Sequence, residues 1–131
     1  KLSRLEIARR AKDTVVIVHD RSRWDMIQPE QVRANHAKVL ETLYAIKDTP
    51  VKAFIDEEPA DLAQYGLEAP IITVSISEQG KTEAQVLRIG DKDRSRRGYF
   101  ANSNGARNIV LLEEKLVNSI LAGKDQWKEA G

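Results

Sequence analysis

The stretch ITVSIS, residues 72–77, decides the fold class of this chain. Ile72, Val74 and Ile76 alternate strictly with one threonine and two serines. Because successive side chains of a strand point to opposite faces of the sheet, this strand has one buried face and one solvated face. That pattern is typical of an antiparallel sheet that is covered on one side only.

Strands are also predicted before this stretch. The sequence LSRLEIARRAKDTVVIVHD, residues 2–20, is typical of a hairpin with a polar connection. WDMIQP, residues 24–29, follows as a third strand with Trp24 and Met26 on one face. The short run VKAFID, residues 51–56, is a further candidate strand.

More strands are predicted after it. The turn EQGK leads into TEAQVLRIG, residues 82–90, which returns beside ITVSIS. YFANS, residues 99–103, and RNIVLL, residues 107–112, form a last hairpin around NGA, because Asn-Gly is a strong local turn signal.

Two segments carry a helical period instead. Pro29 suits the first turn of a helix, and Asp48-Thr49-Pro50 ends it, since the residue before a proline disfavours the helical region. The second helix lies in LEEKLVNSILAG, residues 112–123, with Gly123 as its C-terminal cap. The apolar stripe of the first helix consists of Val32, His36, Val39, Leu40, Leu43 and Ile46.

We therefore predict an α+β fold in a single domain over residues 1–131. It contains a mostly antiparallel sheet of about six to seven strands, with two main amphipathic helices packed on its apolar face. Each half of the predicted order ends with a strand that leads into a helix, which indicates a meander-plus-helix pseudo-repeat. The residues of the two halves do not align convincingly.

The composition excludes several classes of partner and site. Lys plus Arg number 21 and Asp plus Glu number 20, so the net charge of +1 gives no global attraction to nucleic acid or to an anionic membrane. Cysteine is absent, which excludes disulfides and thiolate chemistry. No window approaches the roughly 18 apolar residues of a membrane span. Because the chain begins at Lys1 and not at a methionine, we expect it to be excised from a longer, membrane-anchored protein whose anchor lies upstream.

The motifs of common catalytic sites are missing. No G-x-S-x-G elbow, H-E-x-x-H pair, Walker loop or G-x-G-x-x-G run occurs. His19 ends a predicted strand, and His36 lies beside the apolar stripe of the first helix. We expect no catalytic residue, cofactor or metal site. A serine-histidine-aspartate enzyme would require one of these histidines in a cleft beside a hydroxyl or a carboxylate.

The most basic stretch is DKDRSRRG, residues 91–98. Its alternating oxygen-bearing side chains resemble a calcium loop, but its cations would repel the ion, and Asn102 stands where a bidentate glutamate is needed. Two interpretations remain, a solvated hairpin loop with self-compensating charges or a contact for a phosphate or an acidic partner surface. The contact residues would be Lys92, Arg94, Arg96 and Arg97.

The segment DLAQYGLEAP, residues 61–70, predicts a structural corner. Leu62 and Tyr65 share one face of a short helical turn, and Gly66 can end that turn in the left-handed region at no steric cost. Leu67 then folds back as the hydrophobic contact of the cap, and Pro70 stiffens the entry to the following strand.

These residues also carry a family resemblance. D-L-A-x-Y-G-L-x-x-P followed by a strand, a polar turn and VLRIGDKD resembles a bacterial family, domain of unknown function 4340. The resemblance continues through GYFANSNGARNIVLL, residues 98–112, and upstream through residues 23–46, so it covers nearly all of the chain. The residues that match the family pattern, each with a sufficient structural explanation, are Tyr65, Gly66, Leu67, Pro70, Gly90 and Tyr99.

The resemblance implies a location and a general role. Members often stand behind a single N-terminal membrane anchor, and some are similar to auxiliary components of gliding-motility-type ABC transport systems. No catalytic residues are attributed to the family. We therefore expect a non-catalytic interaction or scaffold module outside the cytoplasm, in the periplasm or on the outer face of the inner membrane, with a protein partner in the cell envelope. The alternative is a binder of anionic ligands through the loop 92–97.

Overall fold

A computed structural model describes residues 2–10, 14–20, 23–28, 30–47, 51–56, 62–80, 84–95, 97–103, 108–121 and 127–128. These residues contain nine strands, two α-helices and a 3-10 helix at Leu62–Tyr65. The strands are β1 (Leu2–Arg9), β2 (Val15–Asp20), β3 (Arg23–Gln28), β4 (Val32–Arg33), β5 (Val51–Asp56), β6 (Ile72–Glu78), β7 (Gln85–Asp93), β8 (Gly98–Ser103) and β9 (Ile109–Glu113). The α-helices are α1 (His36–Lys47) and α2 (Glu114–Ile120).

The described strands form one sheet in the order β4-β3-β2-β1-β6-β7-β8-β9-β5, and every neighbouring pair is antiparallel. The predicted α+β class, an antiparallel sheet with two helices, is confirmed. The predicted number of six to seven strands is wrong, since nine lie in the described residues. β4 has only two residues, too few to show a period of two in the sequence.

The first helix begins later than the sequence predicted. Val32 and Arg33 pair with β3, and the N–H of Ala34 donates to the carbonyl of Trp24 at 3.0 Å. The side chain of Asn35 then caps α1, because its Oδ1 accepts a hydrogen bond from the N–H of Lys38 at 3.1 Å. Val32, the first residue of the predicted apolar stripe, is therefore in a strand and not in the helix. The helix start predicted at Pro29 is wrong.

The second helix lies within its predicted segment. α2 begins at Glu114, and its C-cap is Leu121 in a right-handed conformation. Gly123, the predicted cap, and the NGA turn lie outside the described residues. Neither described helix has the length and hydropathy that crossing a membrane requires.

Both helices pack on the same face of the sheet. The buried core combines their apolar side chains with one face of the strands, where Trp24 and Met26 alternate with partly exposed residues as predicted. Ile72 and Val74 of the opening stretch are buried in the same core, and Ile76 packs against it. Neither of the two described α-helices lies on the opposite face of the sheet.

The topology has an internal two-fold relation. β1-β2-β3-β4 is a meander that leads into α1, and β6-β7-β8-β9 is a meander that leads into α2. The first strands of the two meanders, β1 and β6, pair antiparallel at the centre of the sheet. Two neighbouring antiparallel strands are related by a two-fold axis perpendicular to the sheet. The same axis between β1 and β6 therefore relates the first meander and its helix to the second meander and its helix.

The register of the strands follows the same relation. Met26 lies opposite Val32 in the first half, as Ala101 lies opposite Val110 in the second. Likewise, Ile17 lies opposite Met26, as Ile89 lies opposite Ala101.

The helices keep this register. α1 begins two residues after Ala34, and α2 begins two residues after Leu112. Val39 of α1 and Val117 of α2 then occupy equivalent positions, and both are fully buried.

Each half also contributes a closing segment to the edge of the other half. β5 follows α1 but pairs with β9, where Val51 lies opposite Leu112. Lys128 follows α2 but forms a β-bridge with Ala34 at the β4 edge. Since Ala34 and Leu112 are equivalent, the two closing segments occupy equivalent places.

Candidate functional site

The basic loop connects β7 to β8, and three of its four predicted contact residues are described. Lys92 Nζ lies 3.0 Å from Glu114 Oε1 and 6.0 Å from the centroid of the Tyr99 ring. Arg94 and Arg97 are exposed, and Arg96 lies outside the described residues. One cation of the loop is thus already compensated by a carboxylate.

The loop also stabilises its own backbone. Asp93 Oδ1 accepts hydrogen bonds from the N–H of Ser95 at 3.1 Å and from its hydroxyl at 2.7 Å. Arg97 has a φ of +53°, which is uncommon for a residue other than glycine, asparagine or aspartate. These contacts describe a self-contained hairpin loop with exposed arginines at positions 94 and 97.

The Tyr-Gly-Leu segment adopts the predicted turn and cap. The N–H of Leu67 donates to the carbonyl of Leu62, and the N–H of Gly66 donates to that of Ala63, both at 3.0 Å. These two hydrogen bonds define a Schellman motif, in which Gly66 takes the left-handed position with a φ of +74°. Leu62 and Leu67, the hydrophobic pair of that motif, belong to one apolar cluster.

The two halves of the family signature meet in space. A β-carbon added to Gly90 would collide with the carbonyl oxygen of Tyr65 and lie 3.0 Å from the carbonyl carbon of Gly66. One added to Gly66 would lie 2.5 Å from Cγ of Asp91. The glycines therefore allow the backbone of the turn to lie directly on β7.

This turn covers the face of the second half that lies opposite the two α-helices. Tyr65, Leu67 and Ile109 are buried together, and Phe100 packs against them. The rings of Tyr65 and Phe100 are 5.0 Å apart in an edge-to-face arrangement. Of the remaining signature residues, Tyr99 packs against the helix-side core, and Pro70 is half-buried just before β6.

The equivalent surface of the first half forms a groove of about 420 Å³ over β2, β3 and β4. In the shared register, Val18, Asp25 and Gln31 correspond to Gly90, Phe100 and Ile109, the strand residues beneath the Tyr-Gly-Leu turn. All three line the groove. The described residues thus include a covered surface in one half and an open counterpart in the other.

The groove combines apolar and charged side chains. Val18 and Ile27 are half-buried in it. Arg23 Nε lies 3.1 Å from Asp25 Oδ2, and Arg33 is exposed at the rim. Its lining carries two arginines and one aspartate, so its formal charge is positive. Such a lining suits a short apolar segment flanked by acidic residues.

Sequence reasoning missed this groove. Period-two alternation does place Arg23, Asp25 and Ile27 on the face opposite Trp24, which is a usable signal. Gln31 and Arg33 have no such signal, because the sequence predicts the start of a helix where β4 pairs with β3. The groove exists only once β4 has joined the sheet.

The histidines do not form a polar cluster with each other. His19 stacks on Trp24 with ring centroids 4.4 Å apart, and His36 is exposed at the first residue of α1. Among the described residues, no group of three or more histidine, aspartate and glutamate side chains is arranged to hold a metal ion.

A polar contact joins the two helices. Lys38 Nζ donates to the carbonyl and to the hydroxyl of Ser119, both at 3.0 Å, and lies 4.9 Å from the centroid of the Trp127 ring. Burial lowers the pKa of Lys38 from 10.5, and the nearby Glu41 opposes that shift. Because Ser119 is in the last turn of α2, this lysine stabilises the helix end as well as the contact.

Comparison with known proteins gives one finding. A family model described as "Domain of unknown function (DUF4340)" matches residues 24–130. No curated protein and no solved structure matches the chain.

Proposed function

Because the chain belongs to the family of the domain of unknown function DUF4340, we propose that it is a non-catalytic interaction module that binds a partner protein through the groove over β2, β3 and β4. The observation that supports this proposal is the internal two-fold relation. The surface equivalent to the groove is covered by the Tyr-Gly-Leu turn in the other half.

The covering turn indicates what kind of segment fits. It presents Tyr65 and Leu67 to the sheet, and it stands in the sequence between Asp61 and Glu68. A partner segment of the same kind would place an apolar side chain against Val18 and Ile27. Its acidic residues would face the arginines at the rim.

The cellular setting is part of the proposal. The family resemblance of the sequence supports an extracytoplasmic module that is anchored upstream and accessory to an envelope transport system. Protease added to intact spheroplasts should degrade this domain of the full-length protein before cell lysis. Protection until lysis would place the domain in the cytoplasm and contradict this part.

The groove is tested by site-specific photo-crosslinking in cells. A photoreactive phenylalanine analogue replaces Ile27 in the groove of the full-length protein, and in a control it replaces Ser75 on the same face outside the groove. We expect a discrete protein adduct from position 27 and none from position 75.

A second variant distinguishes recognition from proximity. Arg33→Glu reverses a rim charge, so it should abolish the adduct from position 27 while the unfolding midpoint of the domain stays within a few degrees. Equal adducts from both positions, or an adduct that persists in Arg33→Glu, would contradict the proposal.

Anion binding through the loop 92–97 is the alternative function. The exposure of Arg94 and Arg97 supports it, whereas the pairing of Lys92 with Glu114 leaves less free charge. Replacement of Arg94, Arg96 and Arg97 by alanine should abolish salt-dependent binding of inorganic polyphosphate. Arg23→Ala, which removes a cation outside the loop, should leave it unchanged. Binding that is unaffected by the triple replacement would exclude the loop.

A further inference from the structure

The last described segment of the chain is bound at a site built by the first half. Trp127 is fully buried, and its carbonyl accepts a hydrogen bond of 2.7 Å from the N–H of Asn35. Lys128 forms the bridge with Ala34 and an ion pair with Glu30. Lys38 adds its contact with the Trp127 ring.

This site binds a short segment through one β-bridge and one buried side chain. It offers an edge backbone at Ala34, a buried place for an indole, a cation over that indole and a carboxylate for the next residue. Backbone pairing combined with one deep side-chain anchor is how sheets bind added strands. The residues that supply the backbone, ionic and cation contacts lie between Glu30 and Lys38, and the indole is buried in the main hydrophobic core.

In this fold, the segment that follows each helix pairs with the edge strand of the other half. β5 leaves its own half to close the other, and Trp127–Lys128 does the same in return. An identical segment from a second copy of the chain would make every contact that the chain's own segment makes. Exchange between copies therefore costs little except the loss of the intramolecular connection.

We propose that the site between Glu30 and Lys38 accepts the Trp127–Lys128 segment of a second copy, so that two chains form a reciprocally strand-exchanged dimer. This inference goes beyond the proposed function. In the monomer, five residues, 122–126, join Leu121 to the bound segment. The length of this connection sets the balance between the closed monomer and the exchanged dimer.

The absence of cysteine in the chain permits a direct test. Ala34→Cys and Lys128→Cys are made as separate single variants of the full chain, mixed, warmed to near the unfolding midpoint at high concentration, cooled and oxidised. Because these residues are opposite each other in an antiparallel bridge, a disulfide between two chains forms when the segment has been exchanged. We expect a disulfide-linked heterodimer with twice the mass of one chain.

Controls separate exchange from random oxidation. Ala34→Cys mixed with Ser77→Cys, which is remote from the bridge, should give no specific heterodimer. The double variant Ala34→Cys/Lys128→Cys in dilute solution should give a disulfide within one chain and no change in mass. Equal crosslinking in both mixtures, or only monomers in the first, would overturn the proposal.

A second measurement does not depend on oxidation. Deletion of Ala122 and Gly123 shortens the connection, so that a segment can no longer reach its own site easily. The shortened chain should elute as a dimer, and adding Trp127→Ala should return it to a monomer because the anchor is lost. A shortened chain that stays monomeric and keeps Trp127 buried, as judged by its fluorescence, would also overturn the proposal.

Discussion

Gly66 and Gly90 show how single residues join distant parts of this chain. The left-handed backbone at position 66 requires glycine, and the close approach of the Tyr65 carbonyl oxygen to β7 requires glycine at position 90. The two requirements differ physically, although both select the residue without a side chain. The sequence indicated the first, because a glycine after a helical turn is a cap signal. The second appears only when the turn lies on the strand.

Alanine substitutions should separate these two requirements. Gly80→Ala is the control for conformation alone, since φ is +86° and nothing lies within 4 Å of the added β-carbon. It should lower the free energy of unfolding by about 1–2 kcal/mol. Gly90→Ala tests the close contact alone and should cost roughly 1–3 kcal/mol. Gly66→Ala combines both and should cost the most, as measured by urea denaturation. A cost for Gly66→Ala equal to that for Gly80→Ala would show that the turn does not press on β7.

Lys38 makes the stability depend on pH. Burial lowers its pKa in the folded protein, so between that value and 10.5 the unfolded chain binds more protons than the folded one. The free energy of unfolding therefore gains a contribution that rises with pH in this window. Relative to Lys38→Met, the native protein should become more stable as the pH is raised toward 10.5. A difference between native protein and Lys38→Met that is independent of pH would contradict the role of burial.

The two α-helices begin in equivalent places but with different caps. Asn35 holds the N–H of Lys38 at the start of α1, whereas Glu113 at the start of α2 makes no side-chain capping hydrogen bond. The sequence placed the first start at Pro29, because proline and glutamate are common in a first helical turn. That start is wrong because Val32 and Arg33 pair with β3 as a strand.

This difference predicts unequal effects of two matched substitutions. Asn35→Ala should lower the free energy of unfolding by about 1 kcal/mol, because the N–H of Lys38 loses its partner. Glu113→Ala should change it by no more than about 0.5 kcal/mol, the usual range for an exposed position. Chemical denaturation of both variants would measure the difference. Equal losses would mean that the Asn35 side chain does not cap α1.

In the molecule as a whole, the two halves share one hydrophobic core, and each half pairs with the closing segment of the other. The buried cluster contains side chains of both meanders, both helices and Trp127. Neither half closes its own edge, since β5 lies on β9 and Lys128 lies against Ala34. We therefore expect the two halves to unfold together.

Equivalent core substitutions test this cooperation. Val39→Ala and Val117→Ala each remove two buried methyl groups from a fully buried position. Each should lower the free energy of unfolding by about 2 kcal/mol, counting lost burial and the cavity left behind. Calorimetry of each variant should still show one transition, with equal calorimetric and van't Hoff enthalpies. Two resolved transitions in either variant would show that the halves unfold independently.

The sequence determined the features that depend on neighbours along the chain. Alternation assigned the buried faces of β3 and β6, the helical period located α2, and the Tyr-Gly-Leu segment predicted its own cap. Each follows from local backbone geometry, which a short window of residues contains. The exposed basic loop was found in the same way, from charge that is contiguous in the sequence.

The tertiary structure decided what depends on residues far apart. Whether Val32 and Arg33 extend a helix or form β4 was settled by pairing with β3. Such pairings form the groove over β2, β3 and β4. They also place the segment that follows each helix on the edge of the other half. A strand's choice of partner is set by packing and backbone hydrogen bonds across the sheet, and no local period records it. That is why the sequence indicated the fold class and the basic loop, whereas the groove and the site of the Trp127–Lys128 segment became visible only in the folded chain.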